Sequence, residues 1–303
     1  MTLTEIQIDS LLPAEMAAKA EQIGVKKAHL NTLCMFVLAI LAGAFIALGA
    51  IFATTVTAGS MAIKAADGTA AFSTGLPYGV TRLLAGLVFT LGLILVIVAG
   101  AELFTGNNLI VMAWANRKVS TRLLLKNWLV VYLGNFVGAL ATAAIMFFTG
   151  QYAFGGGAVG STALATANAK VSFDFVQAIA LGIMCNALVC LAVWLTFSAR
   201  TTTDKILAII PPITAFVAAG FEHSIANMYF IPIGLFIKDG APDTFWKSIA
   251  TTADKFPNLT WGNFFVNNLL PVTIGNIIGG AIMVGAVYWF VYLRSRPSVS
   301  PDA

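Results

Sequence analysis

Charge is scarce in this chain. Only 10% of its 303 residues are Asp, Glu, Lys or Arg, where a soluble domain carries roughly a quarter. That shortage, beside 59% hydrophobic residues and a mean hydropathy of +0.88, excludes an ordinary water-soluble domain and implies a polytopic membrane protein. Cysteine is scarce too. Cys34, Cys185 and Cys190 all lie in apolar runs without ligand spacing, so free buried thiols are expected rather than a disulfide framework or a metal site. The only histidines are His29 and His223, and His29 precedes the first apolar segment, so no metal ion or cofactor is expected. The net charge of +4 is scattered between apolar runs, which argues against a nucleic-acid partner. No charged-apolar-small cleavage pattern opens the chain, so no cleaved signal is expected, and residues 1–29 with "LLPAEMAAKAEQIGVKKA" read as a short amphipathic segment.

What is there instead is apolar sequence in long runs. These fall at about 30–55, 83–115, 126–149, 173–198, 206–237 and 263–293, and a simple span needs roughly 20 residues. The second and fifth runs are too long and carry polar interruptions, "AGAELFTGNN" and "AGFEHSIANM". Counted from Ala99 and from Ala219, both read A-G-x-E-x-x-x-x-N, so Glu102 corresponds to Glu222 and Asn107 to Asn227. The flanks repeat as well. "FVLAILAG" (36–43) matches "FVQAIALG" (175–182), and "NWLVVYLGNFVGA" (127–139) matches "NLLPVTIGNIIGG" (268–280). Three spans followed by three related spans predict an all-α bundle of two inverted repeats, with the second and fifth helices broken. Broken helices are tolerated at membrane depth where the unwound backbone is buried or lines a cavity.

Loop charge sets the expected orientation. Arg117, Lys118, Arg122 and Lys126, then Arg200 and Lys205, then Arg294 and Arg296 mark one side with little acid nearby. The other side mixes Lys64, Arg82, Lys170, Lys238, Lys247 and Lys255 with Asp67, Asp239, Asp243 and Asp254. The first side, with both termini, is expected to be cytoplasmic. The division is then a cytoplasmic segment 1–29, a first repeat 30–149, an outward connection 150–171, a second repeat 172–293 and a cytoplasmic tail 294–303. Loops 57–80 and 150–171, rich in Gly, Ser, Thr and Ala, are expected to face outward.

Several polar groups sit where water is scarce. Gly134 and Gly138, repeated as Gly275 and Gly279, read as close helix packing and name no substrate. Glu102 and Glu222 are the acids deep within the spans. A charged side chain there costs on the order of 2.5–3.5 kcal/mol on insertion scales, so each carboxylate is expected to accept bonds from backbone N–H groups freed at its break, with a proton relay as the alternative role. His223 is a different case, since its counterpart in the first half is Leu103 and the repeat does not demand it. A histidine can change charge near neutral pH, which suits an anion or weak-acid pathway. Phe89, Leu93, Leu103, Phe104 and Phe216 read from spacing alone as packing residues.

With "AGAELFTGNNLIV", "GFEHSIANM" and "PVTIGNIIGG" in view, nearly the whole chain resembles the formate/nitrite transporter family, and within it the formate channels. The resemblance implies an aquaporin-like six-helix protomer with its own pore, a homopentamer in the bacterial cytoplasmic (inner) membrane, and passage of a small monovalent anion or its conjugate weak acid. By position it makes His223 the central pore histidine and Thr105 the loop threonine that faces it. It assigns Leu103 and Phe216 to a cytoplasmic-side slit, Leu93 and Phe89 to the outer side, and Phe104 to the same broken loop as Thr105. Lys170 and Asn186 match residues of an outer vestibule, while Glu222, Asn227 and Asn276 match polar supports of the broken helices. Nitrite or hydrosulfide passage remains open on the same motifs. A water or glycerol channel is opposed by the lack of a paired N-P-A signature, and a membrane enzyme by the lack of a catalytic constellation. A purely structural or receptor subunit would leave the two matched breaks unexplained.

Overall fold

The structure, a computed structural model, describes residues 10–59 and 76–294, and the regular elements among them are helical. Six helices are long and apolar enough to cross a membrane, and they are labelled here in chain order with the shorter helices beside them. Helix α1 (Pro13–Ala28) precedes the first span, α2 (Thr32–Thr57). The second span, α3 (Tyr78–Gly100), stops at the first break and resumes as α4 (Phe104–Asn107), which runs on through 108–115. Then come α5 (Thr121–Phe148), a shorter α6 (Ala158–Lys170), α7 (Phe175–Ser198) and α8 (Thr202–Ala219). The second break separates α8 from α9 (Ser224–Gly240), and α10 (Trp261–Tyr292) ends the bundle.

Both breaks are built from the same local chemistry. Gly100 has φ +86° and Gly220 φ +78°, a left-handed conformation that glycine takes without a steric penalty. On either side of each glycine a wide bond closes the preceding helix, Ala101 N–H to Val96 O at 2.9 Å and Phe221 N–H to Phe216 O at 3.0 Å. That is the six-to-one bond of a glycine-terminated helix end. Leu103 and His223 then take extended backbone, φ −108° in both, and a new helix starts immediately after each. The glycines of the A-G-x-E repeat are therefore there to end helices.

Small residues set how closely the spans approach. A Cβ on Gly138 would overlap the carbonyl oxygen of Ile40, and one on Gly279 would overlap that of Ile183. Helices α2 and α5, and likewise α7 and α10, thus meet backbone to backbone. These contacts correct the register of the repeat. Ile40 corresponds to Ile183 and the α2 cap Asn31 to the α7 cap Asp174. The match of 36–43 with 175–182 is therefore four residues, about one helical turn, out of step. Similar small-apolar sequence recurs every turn in such helices, so a string match slides along it.

The connections also differ from expectation. Residues 158–170 were expected in a loop but form α6, whose Ala158, Val159, Ala163, Leu164 and Ala167 are buried. Gly, Ser and Thr are weak helix formers, but small residues let a neighbouring helix pack closely enough to support one, and Gly234 of α9 meets Ala167 in this way. The structure places Cys185 and Cys190 in the interior but leaves Cys34 exposed on the outer face of α2. Most of the 57–80 loop, with Lys64 and Asp67, and residues 1–9 and 295–303, with Arg296, lie outside the described residues.

Candidate functional site

The two breaks free backbone groups, and an asparagine satisfies each set. Asn135 on α5 accepts from Phe104 N–H at 2.9 Å and donates to the carbonyls of Ala39 at 2.7 Å and Glu102 at 2.9 Å. Asn276 on α10 accepts from Ser224 N–H at 2.9 Å and donates to Gly182 O at 2.8 Å and Glu222 O at 3.0 Å. The remaining N–H groups of the two glutamates reach Leu38 O and Leu181 O. A side-chain amide suits this position because it offers both an acceptor and two donors.

The carboxylates therefore do something other than expected. They do not collect backbone N–H groups. Glu102 accepts from Lys27 Nζ at 2.8 Å and from Asn107 Nδ2 at 2.7 Å. Glu222 accepts from Lys170 Nζ at 2.7 Å and from Asn227 Nδ2 at 2.7 Å. Behind them, Asn127 and Asn268 accept the second amide proton of Asn107 and Asn227 and donate to Lys27 O and Lys170 O. The asparagines relieve the backbone, which leaves each acid to be neutralised by a lysine from a helix outside the spans, α1 or α6. A buried acid needs such a partner plus further hydrogen bonds for its remaining lone pairs.

The symmetry fails where the chemistry sits. Opposite Leu103 of the first break stands His223 of the second, and opposite Ile225 stands Thr105. His223 caps α9, with Nδ1 accepting from Ala226 N–H at 3.0 Å. That bond uses the Nδ1 lone pair, so the ring proton belongs on Nε2. Nε2 lies 2.9 Å from Thr105 Oγ1. The imidazole thus donates to the hydroxyl, and the hydroxyl proton is free for a further acceptor.

A cavity of about 720 Å³ reaches His223 from one side of the bundle, while Thr105, fully buried, does not line it. His223 forms part of its wall, together with Phe89, Phe216, Phe230, Lys170 and Glu222. Tyr78, 79% exposed, stands at the open end. Phe89 and Phe216 meet edge to face at 5.7 Å, and Phe216 lies nearly parallel to the His223 ring at 5.9 Å. Phe216 is therefore grouped with Phe89 on the cavity side, not with Leu103. It sits on the last turn before the break, facing α3, which the position in the string did not reveal. Leu93, Leu103 and Phe104 are buried in the core that holds these rings, and none lines the cavity.

Asn186 also falls elsewhere. It is fully buried and donates to Asn276 O at 2.7 Å, Asn108 Oδ1 at 3.0 Å and Thr105 O at 3.3 Å. Glycine at 280 leaves it room, since a Cβ there would overlap its amide nitrogen. It holds the first turn of α4, which carries Thr105, and does not line the cavity. Lys170 does line the cavity, but already paired with Glu222 and with its ammonium 5.3 Å from the Phe230 ring.

A profile of the formate/nitrite transporters matches residues 14–290. The chain belongs to the formate/nitrite transporter family. The formate channel FocA of Escherichia coli strain K12 is 46% identical over 288 residues, 95% of this chain and 96% of that one. FocA of Haemophilus influenzae is 43% identical over 276 residues, 91% and 93% of the two chains. A solved structure described as a pentameric formate channel with formate bound superposes with a TM-score of 0.79 at 46% identity, covering 87% of this chain and 98% of that one. The fold is that of a formate/nitrite transporter, and with six spanning helices this member is a multi-pass membrane protein.

Within this formate/nitrite transporter, sequence reasoning missed Lys27, Asn127, Asn135 and Asn268. Three of them were within reach. Asn127 and Asn135 stand opposite Asn268 and Asn276 in the matched strings, and identical amides at two matched positions in apolar helices signal shared work. Lys27 carried no such signal, because its counterpart Lys170 lies in a segment read as loop.

Proposed function

We propose that this protein is a channel for formate, passing the anion or its conjugate acid across the bacterial cytoplasmic membrane as a homopentamer in which each protomer has its own pore. The observation that carries the reading is the position of His223, hydrogen-bonded to the buried Thr105, in the cavity wall beside Phe216, which in turn meets Phe89. The named relatives, formate channels at 46% and 43% identity over nearly full length, support the choice of formate.

The mechanism follows from hydration. A small anion at the mouth of the cavity is still wet, and moving in past the contacting Phe89 and Phe216 rings removes water that nothing apolar replaces. Beside the rings stand two polar donors in series, the Nε2–H of His223 and the Thr105 hydroxyl it meets. A hydrogen bond to an ionised acceptor is short and about twice as strong as a neutral one, which offsets the lost water where the loss is greatest. The ring provides a bond rather than a proton as long as Ala226 N–H occupies Nδ1, because a neutral imidazole that gave up its proton would be left as an anion. Proton transfer to substrate requires Nδ1 to leave that cap and take a proton first. The second break is thus both the support of the donor and the lock on its charge state.

The matched bonds of the two halves support an inverted repeat, and the loop charge supports both termini being cytoplasmic. Cysteines introduced singly into the 116–120 and the 241–260 connections are then labelled from opposite sides, and labelling from one side would refute the inversion. The function itself is tested in proteoliposomes by comparing formate, nitrite, hydrosulfide and water. Formate flux well above that of empty vesicles, with water excluded, is expected. Formate flux no greater than in empty vesicles would refute the reading.

A further inference from the structure

The charges of the cavity do not add up as Lys170 alone suggests. Its charged lining residues, among the described ones, are Arg82, Lys170 and Glu222. Lys170 and Glu222 cancel, at 2.7 Å and with only 14% and 3% of their side chains exposed. The remaining net charge belongs to Arg82. It lies on α3 seven residues before Phe89, two turns or about 10 Å nearer the mouth.

Among the described residues, Arg82 is held without meeting an acid. Its Nε donates to Ala218 O at 3.2 Å and its Nη2 to Val217 O. Both carbonyls belong to the last turn of α8, the helix end whose partial negative charge suits a cation. A Cβ on Gly220 would come within 3.5 Å of Nη2, so the guanidinium lies against the break itself, on the approach to His223. Two of its five N–H donors are used by these carbonyls, and none of the ion pairs among the described residues includes it. The fork is fixed in direction, with its outer donors left over.

We propose that Arg82 is the anion-receiving group of this cavity. It holds a small monovalent anion near the mouth before the anion meets the phenylalanine pair, while Lys170 serves to neutralise Glu222. This deepens the channel reading and rests on it. A single fixed cation in a low-dielectric cleft concentrates anions there, and its reach is set by a screening length of about 8 Å at physiological salt.

The test is formate flux into proteoliposomes against concentration, at several ionic strengths, for the wild type, Arg82→Gln, Arg82→Lys and Tyr78→Glu. Loss of the charge in Arg82→Gln is expected to raise the apparent KM on the order of tenfold with a smaller change in maximal rate, and to flatten the salt dependence of KM. Arg82→Lys, which keeps the charge but not the fork, is expected to keep the salt dependence. Tyr78→Glu leaves the bonds to α8 intact and puts a carboxylate one turn away on the same face. It is expected to raise KM in the same sense, and it decides the matter alone if Arg82→Gln does not assemble. An unchanged KM and salt slope in Arg82→Gln, or in Tyr78→Glu, would overturn the proposal. So would equal losses of maximal rate in Arg82→Gln and Arg82→Lys at unchanged KM, the signature of a mere brace for α8. A wild type that passes no formate at all would instead count against the channel reading.

Discussion

Replacing Asn276 with alanine removes three hydrogen bonds in one step. Ser224 N–H loses its acceptor, and the carbonyls of Glu222 and Gly182 lose a donor. Gly182 lies inside α7, where the helix also bonds its carbonyl, so the groups left stranded are Ser224 N–H and Glu222 C=O. Both residues are buried, and water cannot reach them without the second break opening. An unsatisfied buried group costs about 1–3 kcal/mol, so the pair predicts a loss of roughly 2–6 kcal/mol. Asn276→Asp keeps the shape but turns two donors toward acceptors into acceptors facing acceptors, and is expected to cost at least as much. The assay is denaturation of the purified protein in detergent, followed by loss of helical signal and compared with the wild type. Asn135→Ala, which strands Phe104 N–H and Glu102 C=O in the same way, serves as the matched case. An Asn276→Ala protein within about 0.5 kcal/mol of wild type, the range of an ordinary surface change, would refute the argument that asparagines hold the breaks.

Two further outcomes follow from the same geometry. Gly220→Ala forces a side chain into the left-handed region at φ +78°, and is expected to cost about 1–2 kcal/mol in the same denaturation assay and to lower formate flux by displacing His223. Lys170→Met leaves Glu222 buried and unpaired, a loss of about 3–5 kcal/mol. Adding Glu222→Gln removes the stranded charge and is expected to restore much of that stability, which a double-mutant cycle measures directly.

Most of the fold could be read from the chain. Six apolar runs, two of them interrupted by the same A-G-x-E-x-x-x-x-N string, gave the spans and the breaks, because a helix in lipid cannot be interrupted without a reason. The site was legible in part. His223 stood out by breaking the repeat, and Thr105 through the resemblance. The direction of Phe216, the burial of Asn186 and the pairing of Lys170 with Glu222 were not legible. Each depends on which face of a helix a residue takes and on what crosses from another helix, and in spans this uniformly apolar neither periodicity nor a string match records it. The slipped register of α2 against α7 has the same origin. Arg82 was read only as loop charge, since nothing in the sequence places it against the end of α8.

The central claim is that one imidazole, with the hydroxyl beside it, supplies the hydrogen bond an anion needs as it passes the Phe89–Phe216 contact. Its most direct test is the formate flux of His223→Phe in proteoliposomes across a range of pH, on protein that keeps the oligomeric size of the wild type. Losing a hydrogen bond to a charged group, about 1.5–3 kcal/mol, predicts a fall on the order of tenfold to a hundredfold. Wild-type flux with its full pH dependence in the phenylalanine variant would contradict the account.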